Sequence, residues 1–272
     1  MLKQRVITGV LLAAFVIAAI LFFPPEWFQF FVAACIAIGA REWARLAGLQ
    51  TRTACTAYTA VCLVLMFALL YVSREIQAIV FHASFVWWLI AFALVSIYPR
   101  AAAAWHKPAV LLPLGLVVLL PGWLALVTLR GREDYVFYIL LLIGLIVATD
   151  SGAYFTGRAF GKRKLAVRVS PNKTWEGFAG GLLAACVLLW ITQLVRGVDD
   201  LYEEWLLATI GVLILASASV VGDLFESMLK RQAGVKDSGT ILPGHGGVLD
   251  RIDSLTAALP VYCVLLMQAG LL

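Results

Sequence analysis

The sequence is poor in charged residues, which make up only 14% of its 272 positions, against roughly 25% in soluble domains. It has only three histidines, and its five cysteines form no Cys-x-x-Cys pair, so neither a zinc site nor a disulfide framework is expected. Apolar residues reach 62%, above the roughly 45 to 50% of soluble proteins. This composition excludes a water-soluble globular protein.

The sequence contains instead nine long apolar runs without internal charge. They lie at residues 6–23, 27–40, 54–72, 78–98, 109–129, 135–149, 177–195, 205–222 and 255–272. A bilayer-spanning helix needs about 20 mostly apolar residues, and only helices or closed barrels satisfy the backbone in lipid. Because the runs are too long for barrel strands, the sequence predicts an all-α polytopic integral membrane protein with about nine transmembrane helices.

The distribution of Lys and Arg predicts the orientation of these helices. With the N-terminus inside, the inner segments hold 17 of the 21 cations, an excess typical of cytoplasmic loops. We therefore expect the C-terminus outside, and we attribute the net charge of +5 to topology, with no nucleic-acid partner. The run 27–40 is the weakest span, because 14 residues can also form a re-entrant segment. If it does not cross, the split falls to 15 against 6.

Tryptophans stand at or just beyond the ends of several runs, where amphipathic rings settle at the headgroup level. We expect the following residues to anchor the helices there: Trp27, Trp43, Trp105, Trp175 and Trp205.

Polar residues cluster in two inner segments. This is informative because a charge at the bilayer centre costs about 2.5 to 3.5 kcal/mol on insertion scales. The first segment, 149–177, contains Asp150-Ser-Gly-Ala-Tyr154 and Ser170-Pro-Asn-Lys-Thr-Trp-Glu-Gly177. Ser170 and Pro171 can also open the next helix as its N-cap and first residue, and both interpretations can hold together.

The second segment, 222–253, predicts two polar helix faces. A helix would place five side chains on one face: Asp223, Glu226, Ser227, Lys230 and Arg231. After a glycine-rich turn, Asp250, Asp253 and Ser254 repeat this spacing on a second helix. Carboxylates near Lys and Arg at one depth favour magnesium-dependent phosphoryl or nucleotidyl transfer. The plainer alternative is a solvated helix cap.

The run Ser227-Met-Leu-Lys-Arg-Gln-Ala-Gly-Val-Lys-Asp-Ser-Gly-Thr-Ile-Leu-Pro-Gly-His-Gly-Gly-Val-Leu-Asp-Arg-Ile-Asp253 resembles the signature of the phosphatidate cytidylyltransferase family. The two motifs in segment 149–177 are similar to that family's as well. The resemblance covers the C-terminal half in detail, whereas residues 1–130 match only as generic spans. It implies a bacterial inner-membrane enzyme that makes CDP-diacylglycerol and pyrophosphate from CTP and phosphatidate, facing the cytoplasm, requiring Mg²⁺ and forming a homodimer in the lipid bilayer.

The resemblance also implies roles for individual residues. The implied metal ligands are Asp223 and Asp250, with Ser227 as a candidate ligand of a second cation. The implied catalytic residues are Asp223, Asp250, Lys230, Arg231, Lys236 and Arg251. The implied substrate-binding residues are Asp150, Ser170, Asn172, Lys173, Thr174, Glu176, Asp237, His245 and Asp253. Residues 131–272 would then form the catalytic region, and residues 1–130 the N-terminal transmembrane helices, within one membrane domain.

Two alternatives stay open at the level of sequence. A CTP-dependent polyprenol or lipid kinase would use a similar site but would phosphorylate its lipid. An ion-coupled transporter would also place carboxylates on broken helices, but here the acids gather at one face and no inverted repeat is visible. A CDP-alcohol phosphotransferase is disfavoured, because its Asp-Gly-x-x-Ala-Arg motif is absent.

Overall fold

The computed structural model describes residues 2–100, 102–197 and 202–272. In chain order these form the following elements: α1 (Leu2–Phe22), α2 (Pro25–Leu46), α3 (Arg52–Leu69), α4 (Arg74–Ile97), the single-turn α5 (Ala102–Trp105), α6 (Pro108–Arg130), α7 (Tyr135–Phe160), β1 (Lys164–Ala166), β2 (Ser170–Thr174), α8 (Trp175–Arg196), α9 (Tyr202–Gln232) and α10 (Leu249–Gln268).

Each predicted apolar run coincides with one of the nine long helices found in the part of the chain that the structure describes, so the expected all-α polytopic membrane protein is confirmed. Within the described ranges, six helices are long and apolar enough to cross a bilayer, namely α3, α4, α6, α7, α8 and α9. Helix α1 falls outside this set because its apolar stretch, Val6–Phe22, is shorter. Helices α2 and α10 also fall outside it, and both carry charged residues within the helix, including Glu42 in α2 and Asp250 and Asp253 in α10.

A short hairpin between α7 and α8 was not predicted. Strands β1 and β2 pair antiparallel, with Lys164 opposite Thr174. Thr174 then caps α8, because its side-chain oxygen accepts a hydrogen bond from the backbone N–H of Gly177 at 3.1 Å. The interpretation of Ser170 as the N-cap of this helix is therefore wrong, since Ser170 begins β2.

Helices α7 and α8 approach each other through small residues. A Cβ added at Gly152 would lie 2.8 Å from the carbonyl oxygen of Gly180, and one at Gly181 would lie 2.6 Å from that of Thr149. Small residues allow such close backbone contact between membrane helices. The contact fixes Asp150, on α7, beside the beginning of α8 and the hairpin.

Helix α10 lies at the centre of the bundle and packs against α2, α4, α6, α7 and α9. Its contact with α9 is close at Gly222, where a Cβ would lie 2.6 Å from the carbonyl oxygen of Asp253. This approach brings Asp223 and Asp253 to neighbouring positions on facing helices.

Trp43 is buried rather than exposed at the headgroup level, so its predicted anchoring role is wrong. Its indole N–H donates to the carbonyl oxygen of Leu111 on α6 at 2.7 Å, and its ring stacks on Phe225 of α9. Trp43 therefore fixes the C-terminal end of α2 against the bundle, one residue beyond Glu42.

Candidate active site

A cavity of about 440 Å³ lies between α7, α9 and α10. Charged residues from separate parts of the chain line it: Asp150, Asp223, Lys230, Asp237, Asp250, Arg251 and Asp253. All of these were candidate site residues in the sequence. The walls deeper in the bundle are apolar, with Ile143, Ile146 and Val147 from α7 and Leu255 from α10. The cavity thus extends from charged residues at one end to apolar residues that lie deeper in the helix bundle.

One side of the cavity, which we call the hairpin side, consists of Asp223 in the lining and its two partners, Ser227 and Lys173. The ammonium Nζ of Lys173, on β2, lies 2.6 Å from Oδ2 of Asp223. The hydroxyl of Ser227, one turn further along α9, donates to Oδ1 of Asp223 at 3.2 Å. The side chain of Asp223 remains 30% exposed. The hairpin therefore places the ammonium group of Lys173 against a carboxylate that is still partly exposed.

The opposite side, the loop side, consists of Asp250, Lys230, Glu226 and the segment 233–248 between α9 and α10, which we call the return loop. The ammonium of Lys230 donates to Oδ1 of Asp250 at 2.6 Å and lies 3.1 Å from Oε1 of Glu226. The other oxygen, Oδ2 of Asp250, accepts from Ser238 N–H and O–H, both at 2.9 Å, and from Gly247 N–H at 2.7 Å. Only 5% of the Asp250 side chain is exposed. Both of its oxygens are therefore occupied by protein donors.

Glu42 is a site residue that the sequence argument missed. It lies on α2 and is buried, and its carboxylate accepts hydrogen bonds from Leu249 N–H at 2.7 Å, Val248 N–H at 3.2 Å and Ser238 O–H at 3.2 Å. The available signal was a single acid between Arg41 and Arg45, directly after an apolar run. That signal gives no indication of partners about 200 positions away.

Several predicted residues lie outside the cavity lining. The carboxylate of Glu176 accepts from the backbone N–H groups of Lys162 (3.0 Å) and Arg163 (3.1 Å), which ties the loop after α7 to the first turn of α8. Arg231 donates from Nε to the carbonyl oxygen of Val169 at 3.3 Å. Both contacts hold the hairpin in place.

Among the described residues, the remaining candidates form no hydrogen bond or ion pair with the carboxylates of the cavity. Thr174 is the α8 cap, and the imidazole of His245 faces α1, where a Cβ added at Gly9 would lie 3.3 Å from its Nε2. Asn172 and Lys236 are exposed, and Ser170 is half-buried at the start of β2.

The donor chemistry of the cavity fits a hard divalent cation, because its carboxylate and hydroxyl oxygens are the ligands Mg²⁺ prefers. Among the described residues, no three acidic, His or Cys side chains are gathered tightly enough to enclose a metal by themselves. Magnesium usually takes one or two carboxylates and completes its coordination with water and substrate phosphates. The arrangement is therefore suited to a cation that binds together with a phosphorylated substrate.

The chain is similar to known proteins over its whole length. Residues 3–268 match the model of the cytidylyltransferase family. The chain is 45% identical over 270 residues to a phosphatidate cytidylyltransferase of Pseudomonas aeruginosa, covering 99% of this chain and 98% of that protein. It is 40% identical to the enzyme of that name from Haemophilus influenzae, over 96% of this chain and 97% of the relative. A Bacillus subtilis relative is 50% identical over 141 residues, about half of each chain. On this similarity over its whole length, the chain belongs to the phosphatidate cytidylyltransferase family.

Proposed function

We propose that the cavity between α7, α9 and α10 is where this chain transfers the cytidylyl group of CTP to phosphatidate. A phosphate oxygen of phosphatidate forms a bond to the α-phosphorus of CTP, and the bond from that phosphorus to the bridging oxygen breaks. Pyrophosphate leaves with the electron pair, and CDP-diacylglycerol remains in the membrane. The observation that carries this proposal is the meeting of five aspartates with Lys173, Lys230 and Arg251 at one end of the bundle.

The reaction requires positioning and charge neutralisation more than a protein nucleophile, because phosphatidate already carries a nucleophilic oxygen. Lys173, Lys230 and Arg251 supply positive charge around the reacting phosphates. Asp223 and Asp250 would hold Mg²⁺, Asp250 through Oδ1, which accepts one hydrogen bond where Oδ2 accepts three. Ser227 would be a ligand of a second cation. Bound Mg²⁺ supplies neutralisation of the charge that develops on the triphosphate oxygens.

Substrate binding must affect the two lysine–aspartate ion pairs differently. Lys173 neutralises Asp223 directly at 2.6 Å, so a cation on Asp223 would release the ammonium toward a substrate phosphate. Lys230 is shared between Asp250 and Glu226 on the buried side of the site. Lys173 is therefore the proposed mobile phosphate contact, and Lys230 the proposed fixed one.

The direct test is a reaction of purified protein with labelled CTP and phosphatidate. We expect pyrophosphate release and labelled CDP-diacylglycerol, both dependent on Mg²⁺. A lipid kinase would instead give a phosphorylated lipid with the label remaining on the free nucleotide, and that product would overturn the proposal.

We further propose that the acyl chains of phosphatidate lie in an apolar groove of about 800 Å³ between α4, α9 and the hairpin. Its volume falls within the roughly 300 to 1,000 Å³ typical of ligand pockets. The groove reaches Arg168 and Val169 at the hairpin, and the same hairpin places Lys173 on Asp223. An anionic headgroup at the hairpin end of the groove would therefore lie beside the site cations.

The groove is tested by Ser217→Trp, which places a large ring on its α9 wall, with Leu207→Trp on the exposed surface of α9 as the matched control. We expect the KM for long-chain phosphatidate to rise about tenfold in Ser217→Trp alone, equivalent to about 1.4 kcal/mol, with the KM for CTP unchanged. An equal effect in both variants would contradict the assignment.

We propose nine spans with the N-terminus inside, the C-terminus outside and the site facing the cytoplasm of the bacterial inner membrane. Helix α2 supports the weakest span, because its 22 residues extend about 33 Å at 1.5 Å per residue. At its N-terminal end Arg130, the last residue of α6, donates to the carbonyl oxygen of Phe23, and at its other end Glu42 reaches the return loop. Helix α2 thus runs between opposite ends of the bundle.

A reporter fused after Leu272 tests this topology and should be active only outside the cytoplasm. Cytoplasmic reporter activity would mean that one assigned span, first of all 27–40, does not cross.

We also propose that residues 131–272 form the catalytic region, that residues 1–130 support it, and that the protein is a homodimer. Crosslinking in native membranes, followed by mass measurement, tests the dimer.

A further inference from the structure

Glu42 is a buried carboxylate with an unusual set of partners. Three donors bind it, and all belong to the return loop or to the beginning of α10: Ser238 O–H, Val248 N–H and Leu249 N–H. Among the side chains that the structure describes, no Lys, Arg or His pairs with it. Its charge is therefore balanced by backbone N–H groups and the positive end of the α10 dipole.

These contacts replace a cap that α10 does not have in its own sequence. The N-cap position is Val248, whose side chain cannot accept a hydrogen bond. The first N–H groups of a helix have no partner within the helix, and an acceptor there contributes roughly 0.5 to 2 kcal/mol. Glu42 supplies that acceptor from α2, so the position of α10 relative to α2 depends on one carboxylate.

Glu42 is also connected to Asp250 through a single hydroxyl group. The O–H of Ser238 lies 3.2 Å from Oε2 of Glu42 and 2.9 Å from Oδ2 of Asp250. A serine hydroxyl has one proton to donate, so the two carboxylates share it. Asp250 is in the first turn of α10, which Glu42 caps, and this gives a second connection between the same two residues.

The return loop keeps space for Glu42. A Cβ added at Gly247 would lie 2.5 Å from Oε2 of Glu42, and one added at Gly239 would collide with Oε1. Neither glycine has a positive φ, so the requirement is for space rather than for backbone conformation. Two glycines, one against each oxygen of the carboxylate, are independent support for its role.

We infer that Glu42 is a positioning residue for the cytidylyl-transfer site. It holds the return loop and the first turn of α10 so that Asp250 faces Lys230 at the cavity wall, and it does not itself contact substrate. The effect of Glu42 on catalysis rests on the proposed function. Its structural role, which is to hold the return loop and the first turn of α10, rests on the hydrogen bonds alone.

The test compares Glu42→Gln with Glu26→Gln, a matched change at an exposed position in the first turn of the same helix. Glutamine keeps the size of the side chain but offers one acceptor oxygen instead of two, so one N–H at the start of α10 loses its partner. In the purified full-length protein we expect faster hydrogen exchange of the segment 238–249, at least about tenfold lower kcat and a higher Mg²⁺ concentration for half-maximal rate. Glu26→Gln should change none of these.

The outcomes separate the inference from the proposed function. Lower kcat with unchanged exchange of 238–249, or faster exchange with unchanged kcat and Mg²⁺ requirement, would overturn the positioning role. If the wild-type protein makes no CDP-diacylglycerol while Glu42→Gln still accelerates exchange, the proposed function fails and the structural role of Glu42 is retained.

If Glu42→Gln does not fold, Ser238→Ala decides the question in the same assays. It removes only the shared hydroxyl and leaves the backbone bonds of both carboxylates in place. We expect a smaller shift in the same direction for exchange and for Mg²⁺ requirement, and an absence of both shifts would refute the connection.

Discussion

The hairpin side and the loop side of the cavity have the same chemical pair in two different settings. On each side an aspartate on a helix lies 2.6 Å from a lysine ammonium. Asp223 is 30% exposed and its remaining partner is one hydroxyl, whereas Asp250 is 5% exposed and its second oxygen accepts three hydrogen bonds. Asp223 can exchange its partner for a ligand, while Asp250 is part of the structure that holds the return loop.

The difference shows that residue type and position along a helix do not fix the role of a carboxylate. A partly exposed ion pair contributes little to stability, about 0 to 1 kcal/mol. Removing one member of a buried pair costs about 3 to 5 kcal/mol, because the other charge is left unpaired. Replacing each aspartate should therefore have a different effect on stability, even where the effects on turnover are similar.

The largest effect is expected for Asp250→Asn, which should lower both turnover and stability. An amide group has one acceptor oxygen, so its NH₂ must face either Lys230 or the donors of Ser238 and Gly247. We expect turnover to fall at least about a thousandfold, on the order of 4 kcal/mol, with a lower thermal unfolding midpoint in detergent. Wild-type stability would show that the loop side is not held by Asp250.

Asp223→Asn should lower turnover to a similar degree, at least about a thousandfold, but leave the unfolding midpoint close to that of the wild type. The change removes the negative charge that faces the cavity and leaves Lys173 and Ser227 with access to solvent. The measurement is Mg²⁺-dependent CDP-diacylglycerol formation beside thermal unfolding of the same sample. Near-normal activity would refute the metal assignment.

A smaller effect, about a hundredfold, is expected for Lys173→Ala, and at most about threefold for Arg163→Ala. Lys173 contacts Asp223 through its side chain, whereas Arg163 holds Glu176 through its backbone N–H, which survives the substitution. Steady-state rates of the two purified variants provide the comparison. Equal losses would favour general attraction of anionic lipid over a specific role of the hairpin side.

The smallest effects, below about tenfold, are expected for Glu226→Gln and Asp237→Asn. Glu226 shares Lys230 with Asp250, which keeps that lysine in place, and Asp237 lies on the exposed part of the cavity wall. Rates should be measured at saturating CTP and phosphatidate. A loss of turnover as large as that of Asp223→Asn would mean that the centre of the site lies nearer to the return loop.

The sequence was sufficient to predict the helices and most of the cavity, because both depend on local patterns. Apolar runs predict spans, and the spacing from Asp223 to Lys230 predicts a common helix face. The hairpin was missed because strands of three and five residues produce no readable alternation. The pairings of Lys173 with Asp223 and of Glu42 with Leu249 were missed because packing, not spacing, brings such distant residues together.

The cap on α10 also has a consequence for the order in which the protein is assembled during synthesis. Glu42 precedes Leu249 by 207 residues, and at roughly 5 to 20 residues per second the ribosome needs about 10 to 40 seconds to make that interval. During this time the carboxylate of Glu42 must keep contact with water at the membrane surface, because an unpaired charge in the bilayer is costly. A nascent chain that has inserted every helix but the last therefore still has a hydrated, incomplete site, and enzymatic competence arrives only with α10.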